Sequence, residues 1–294
     1  MVNTPDPTVC KESPKVTGWQ LILCMLLIGL TIGAAILMPR WDPGQGATPW
    51  RQGTFLLTLV LVTLLFFALG IFIRGRPAGI LIDDRNRMSL SRLQMTLWTV
   101  VILAGWGISA ISNASLEAKA PGYLTKTNPS GKLETFGPLD VAVPPQLWMA
   151  MGIAITSLAG TPLILNIKAN QKPPVLEESA RFVSAMDRES QAQTRFVGLV
   201  AEHRCPEDAV WSDLFTGDEA GNVTAVDLGK VQMFYFTLIL IVSYTIAVFT
   251  LVGRHGAISQ LPVLSDGAIA LLGLSHAGYL GAKAAPNTKP TPSI

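Results

Sequence analysis

Apolar and polar positions along the chain separate into long blocks. Trp19 to Met38, Gly53 to Ile73, Gln146 to Leu165 and Leu261 to Gly281 are each about twenty residues with at most one formal charge, and two further apolar runs end near Ser112 and Val252. A helix of that length crosses a hydrocarbon core of roughly 30 Å, so the pattern predicts an all-α, polytopic membrane protein with six transmembrane helices. Lys11 and Lys15 precede the first run as they would in a signal peptide. That run is long for such a segment, however, and it ends in Pro39-Arg40-Trp41-Asp42 where a cleavage site would have small residues. The blocks divide the chain into a disordered tail (1–17), a first hairpin (18–75), a second (89–167), a polar segment expected to be helical (168–226), a third hairpin (227–283) and a second tail (284–294).

One stretch occurs twice. Ser89-Leu90-Ser91-Arg92-Leu93-Gln94-Met95-Thr96 and Asp227-Leu228-Gly229-Lys230-Val231-Gln232-Met233-Phe234 each open an apolar run. Ser89 and Asp227 are expected helix N-caps, Arg92 and Lys230 cations that snorkel to headgroups, with Trp98 and Trp211 as further interfacial anchors. The matching entries predict two parallel hairpin repeats related by an axis along the membrane normal.

Composition agrees with a membrane protein. Of 294 residues 49% are hydrophobic and only 14% charged, well below the quarter charged of an ordinary soluble domain. The net charge of +2 suggests no nucleic-acid partner. The placement of the cations is more informative: with six crossings, sixteen of the 22 lysines and arginines fall on the side of both tails. The excess of cytoplasmic Lys and Arg in membrane proteins then puts both termini in the cytoplasm. Cys10, Cys24 and Cys205 form no close pair, so neither a disulfide framework nor a zinc site is expected.

Between the spans, Gly79 to Met88 suits a small hairpin turning at Asp83-Asp84-Arg85-Asn86, and 113–144 reads as an external loop carrying the sequon Asn113-Ala114-Ser115. In the polar segment, Glu177 to His203 has helix-forming composition, and Ala209 to Phe215 resembles an amphipathic turn at the membrane surface. Gly217-Asp218-Glu219-Ala220-Gly221-Asn222 is read as a turn, since it lacks the alternating ligands of a calcium loop.

Polar residues within the spans are few. Gln94, Gln232, Ser157, Ser275 and His276 are candidates for helix packing or for lining a polar path, and packing is the preferred reading. There is no Walker loop, GxSxG, HExxH or cluster of metal ligands. No catalytic, cofactor or metal residue is therefore assigned, and an enzyme is not expected.

Trp211-Ser212-Asp213-Leu214-Phe215, the Asp227 to Met233 string and Leu272-Gly273-Leu274-Ser275-His276-Ala277-Gly278-Tyr279-Leu280 resemble a set of bacterial multi-pass inner-membrane proteins of unassigned function. That likeness implies a bacterial inner membrane and no chemistry. The resulting expectation is a non-enzymatic membrane anchor or scaffold, a homo-oligomer in the bilayer that docks a cytoplasmic protein through 168–226. The alternative is a channel, pore or transporter whose path is lined by Gln94, Gln232, Ser157, Ser275 and His276.

Overall fold

The computed structural model describes residues 10, 18–37, 49–119, 121–171, 186, 193–285 and 287–288. Six helices carry the fold: α1 (Gly18–Leu37), α2 (Pro49–Arg74), α3 (Leu90–Lys119), α4 (Pro145–Ala169), α5 (Leu228–Val252) and α6 (Asp266–Ala284). Among the described residues four of them, α2 to α5, are long and apolar enough to cross a membrane. The expected tail at 1–17, Cys10 excepted, and positions 286 and 289–294 of the expected tail at 284–294 lie outside the described residues.

The helical expectation needs one correction. Two antiparallel strand pairs are present: β1 (Thr125–Thr127) with β2 (Leu133–Thr135), and β3 (Thr194–Val197) with β4 (Val200–His203). The second pair replaces the end of the expected helix at Glu177 to His203, whose earlier part lies outside the described residues apart from Met186. Phe196, Val197, Val200 and Ala201 have helical spacing. Gly198, at φ +58°, nonetheless turns the chain between β-branched residues that favour strands. A Cβ at Gly198 would stand 2.2 Å from the Ala169 carbonyl oxygen, so the turn sits directly on the end of α4.

Several helix boundaries follow from local caps. Asp227 accepts from the Lys230 N–H at 3.2 Å, and α3 starts after Ser89, whose carbonyl accepts from Leu93 N. The last helix begins at Asp266, later than the expected Leu261, because Ser265 caps it through Ala268 N. The stretch before it is extended: Ala142 donates to Ser259 and accepts from Leu261 N. α3 runs past Ser112 to Lys119, which leaves Asn113 fully buried with both amide atoms bonded to Ile258. That removes Asn113 as a glycosylation site. The hairpin at Asp83 to Arg87 forms as expected, closed by an Ile82–Met88 bridge with Asn86 at φ 57°.

α3 packs on α2, α4 and α5, while α6 packs on α4 and α5, so α3, α4, α6 and α5 form a ring of neighbours. The core shared by these helices and α2 is built from residues such as Phe55, Trp98, Ile108, Leu147, Val248 and Leu272. At one end, Arg51 on α2 donates to the carbonyls of Arg254 and Gly256, and Asn113 meets Ile258. The opposite end holds the start of α3, the end of α4, the start of α5 and the end of α6, all against the polar segment. There the 3-10 turn Pro77–Leu81 folds back so tightly on α2 that a Cβ on Gly70 would lie 2.4 Å from the Pro77 carbonyl oxygen.

Cys10 and Cys205 are joined as a disulfide across 195 positions, with Cα atoms 5.3 Å apart. This overturns the expectation of no disulfide. Sequence spacing hides the pairing, because the fold brings a terminal residue to the polar segment.

Candidate functional site

The polar segment and the adjacent helix ends share a buried cluster of charges centred on Asp218. Its carboxylate lies 3.0 Å from Lys230 Nζ, 2.7 Å from Lys283 Nζ, 3.0 Å from Arg85 and 3.8 Å from Arg87. These cations come from three places: Lys230 from the first turn of α5, Lys283 from the last turn of α6, and both arginines from the hairpin before α3. The neighbouring carboxylate, Glu219, pairs with Lys168 at the end of α4, at 2.5 Å. Lys168 also donates to the carbonyls of Lys283 and Ala285, satisfying acceptors that the end of α6 leaves free.

A second carboxylate, Asp213, extends the cluster. It pairs with Arg87 at 3.1 Å, accepts from the backbone N–H groups of Met88 and Val210, and bonds His203 Nε2 at 3.0 Å. Arg87 reaches on to the Gly217 carbonyl and the Thr216 hydroxyl. Asn86 donates to the carbonyls of His203 and Arg204, and Arg76 to those of Pro206, Glu207 and Ala209. Past the end of α6, Asn287 and Thr288 donate their N–H groups to Glu219. The described part of the polar segment from 193 onward is thus a folded lobe clamped to the bundle.

Burial by itself opposes ionisation of Asp218, but Lys230, Lys283, Arg85 and Arg87 outweigh it and hold the carboxyl well below the usual carboxylate range. Burial also opposes the charge on Asp213, and its bond to His203 and the nearby Arg87 lower it in turn. Among the described residues no group of three or more His, Cys, Asp or Glu side chains could hold a metal ion. The arrangement neutralises charge and joins elements of the fold.

The residues singled out by sequence have separate fates. Gln94 is buried and donates to Thr237 at 2.6 Å and to the Met233 carbonyl, which joins α3 to α5. Gln232 is exposed, so the two glutamines do not share a site. Ser157 and His276 are bonded between α4 and α6 at 2.5 Å, and one turn further toward the lobe Thr161 donates to Tyr279. Ser275 is buried, its hydroxyl without a hydrogen-bond partner.

Of the four expected anchors, Trp98 is fully buried with its ring 5.8 Å from that of Tyr244, because its face of α3 is covered by α5. Lys230 is 3% exposed and its ammonium is taken by Asp218 and by the carbonyls of Asp213 and Thr216, so neither residue reaches a lipid interface. Arg92 is partly exposed beside Asp84, and Trp211 is 57% exposed in a 3-10 turn, Trp211–Leu214. Sequence reasoning missed Asp218, Glu219 and Lys168. The available signal was an Asp-Glu pair between glycines, in a chain poor in charge whose lysines mark helix ends.

The chain matches no family model, no curated protein and no solved structure.

Replacing Asp218 by Asn strands several buried cations, and removing one partner of a buried ion pair costs about 3–5 kcal/mol. A marked drop in the thermal midpoint of the detergent-solubilised protein is expected, against little change for the exposed Asp140→Asn. Because the folded-state values of Asp213 and Asp218 are depressed, their contribution is fully present above the unfolded carboxylate range, at pH of about 4. It is lost as pH falls through the lower folded values, so melts from pH 7 downward should hold until about pH 4 and then decline.

Proposed function

We propose that this protein is a non-enzymatic membrane scaffold of six spans, built on two like hairpins (α3–α4 and α5–α6), whose clamped lobe presents a fixed surface to a protein partner. The observation that carries this reading is where the buried charge lies. Among the described residues every buried Lys, Arg, Asp or Glu except Arg51 belongs to the cluster that fastens the lobe to the helix ends. A transport path would place such groups along the spans, where ionisable residues are costly and kept for function. Here the polar residues of the spans, Gln94, Ser157 and His276, bond one helix to another.

The lobe's outward face carries Val210 and Trp211, 45% and 57% exposed, beside the immobilised Asp213. Exposed apolar side chains on a rigid support suit protein docking. Photo-crosslinking from position 211 in intact membranes should give protein adducts. Adducts to lipid alone would overturn the docking reading and make Trp211 an interfacial anchor.

The cation excess on the lobe side supports a cytoplasmic lobe with both termini on that side; a bacterial inner membrane and a homo-oligomer complete the proposal. Thiols there are kept reduced. On the proposed topology the Cys10–Cys205 link seen in the structure is opened to a juxtaposed dithiol in the cell and re-forms on oxidation. Alkylating freshly prepared membranes before denaturation and mapping the two cysteines by mass spectrometry should find them as free thiols. An intact link at that stage would place the lobe in an oxidising compartment and reverse the topology.

A further inference from the structure

We propose that the cleft between α2, α3, α4 and the Asp83 to Arg87 hairpin holds one phospholipid whose headgroup carries both a phosphate and a primary ammonium. This goes beyond the scaffold reading and does not depend on it.

The cleft has a volume of about 530 Å³, within the size range of small-molecule sites. Its polar end lies at the lobe, with Asp84, Ser89 and Arg92. From there it follows α3 as far as Thr99, ten residues on or about 15 Å at the helical rise. The walls along that length are mostly apolar: Phe66 from α2, Met95 from α3, and Leu158, Pro162 and Leu165 from α4, with the hydroxyls of Thr96 and Thr99 bonded to carbonyls of their own helix. All three helices belong to the set long and apolar enough to cross a membrane. A polar mouth at the helix ends and an apolar floor running into the spans has the layout of a lipid: headgroup outside, acyl chain within. A soluble phosphate compound would leave the apolar floor uncovered.

The charges at the mouth specify the headgroup. Arg85 is committed, at 2.8 Å to Asp83 and 3.0 Å to Asp218. That leaves one charge of each sign, Arg92 and Asp84. They stand 3.8 Å apart, with side chains 35% and 89% exposed. An exposed pair at that distance contributes little, about 0–1 kcal/mol, so a ligand that answers each charge better can replace it. A phosphate on the Arg92 guanidinium makes short, charge-assisted and often paired hydrogen bonds, and it lies near the positive end of α3.

Asp84 then requires a cation. A purely anionic headgroup would set negative charge against it, and a quaternary amine has no N–H to donate.

The full-length protein, reconstituted in bilayers with equimolar phosphatidylethanolamine, phosphatidylglycerol and phosphatidylcholine, is examined by native mass spectrometry for retained lipid. One phosphatidylethanolamine per chain is expected. Arg92→Ala should reduce its retention about tenfold or more, the loss expected for one charge-assisted hydrogen bond. Asp84→Asn should abolish the preference over phosphatidylglycerol while leaving total retention near its original level. Both side chains are partly or largely exposed, so unchanged melting of both variants is the check that the fold survives. Equal retention of all three lipids by the unaltered protein, or unchanged retention by Arg92→Ala, would overturn the proposal. Displacement of the bound molecule by millimolar inorganic phosphate would also overturn it, by showing a plain anion site.

Discussion

Asp218 sits where water is nearly excluded, and an unpaired charge there costs several kcal/mol. That one constraint organises the lobe end of the molecule. The carboxylate can stay ionised only if cations converge on it, and these are carried by the hairpin before α3, the start of α5 and the end of α6. Around it five cations, Arg85, Arg87, Lys168, Lys230 and Lys283, meet four carboxylates, Asp83, Asp213, Asp218 and Glu219. The remaining positive charge is absorbed by carbonyl oxygens. Lys168 rests on those of Lys283 and Ala285, at the negative end of the α6 dipole. Lys230 has no such help, since it stands at the positive end of α5. It depends on Asp218 and on the carbonyls of Asp213 and Thr216.

Within the bilayer region the forces holding helix to helix are weaker individually. The Gln94–Thr237 and Ser157–His276 bonds belong to a class worth about 0.6 kcal/mol on average, with a maximum near 1.7. They set which faces meet, but they do little to fix how far one helix is drawn past another. The ion cluster at one end, together with the Arg51 and Asn113 contacts at the other, fixes that axial register. The bundle is fastened at its ends and packed along its length. A loop tied down in this way can present a surface of constant shape, which an untethered polar segment of the same composition could not.

The parts of this fold that were legible in the sequence are those written in consecutive residues. The apolar runs that become α2 to α5, the caps at Ser89 and Asp227, and the hairpin at Asp83 to Arg87 each depend on neighbours a few positions away. The cluster does not. Its members lie between positions 83 and 283, and Lys230 taken alone has the look of an interfacial lysine. The same applies to Trp98, whose depth is decided by α5 packing over it. In β3 and β4 the local signals conflicted: helical spacing favoured the wrong element, while Gly198 beside β-branched residues carried the right one. The Cys10–Cys205 pair had no local signal at all.

The two matching stretches, 89–99 and 227–237, show how neighbours assign roles that sequence leaves open. Arg92 is half-exposed where Lys230 is buried, and Gln94 is buried where Gln232 is exposed. α3 lies directly against α5, so the side of the first stretch that bears Gln94 is covered by the helix that the second stretch opens. On α5 the side bearing Gln232 continues through Tyr235, Ile239, Val242 and Ile246, all exposed at intervals of three and four residues. This is an outward apolar stripe with a single amide at its lobe end, where water and headgroups can satisfy it. A Gln at the same step on α3 has no water to turn to, and Thr237 supplies the partner. Identical residues therefore mark the same point of entry into the bundle, and the helix that happens to pack beside each one decides whether its amide holds the bundle together or faces outward.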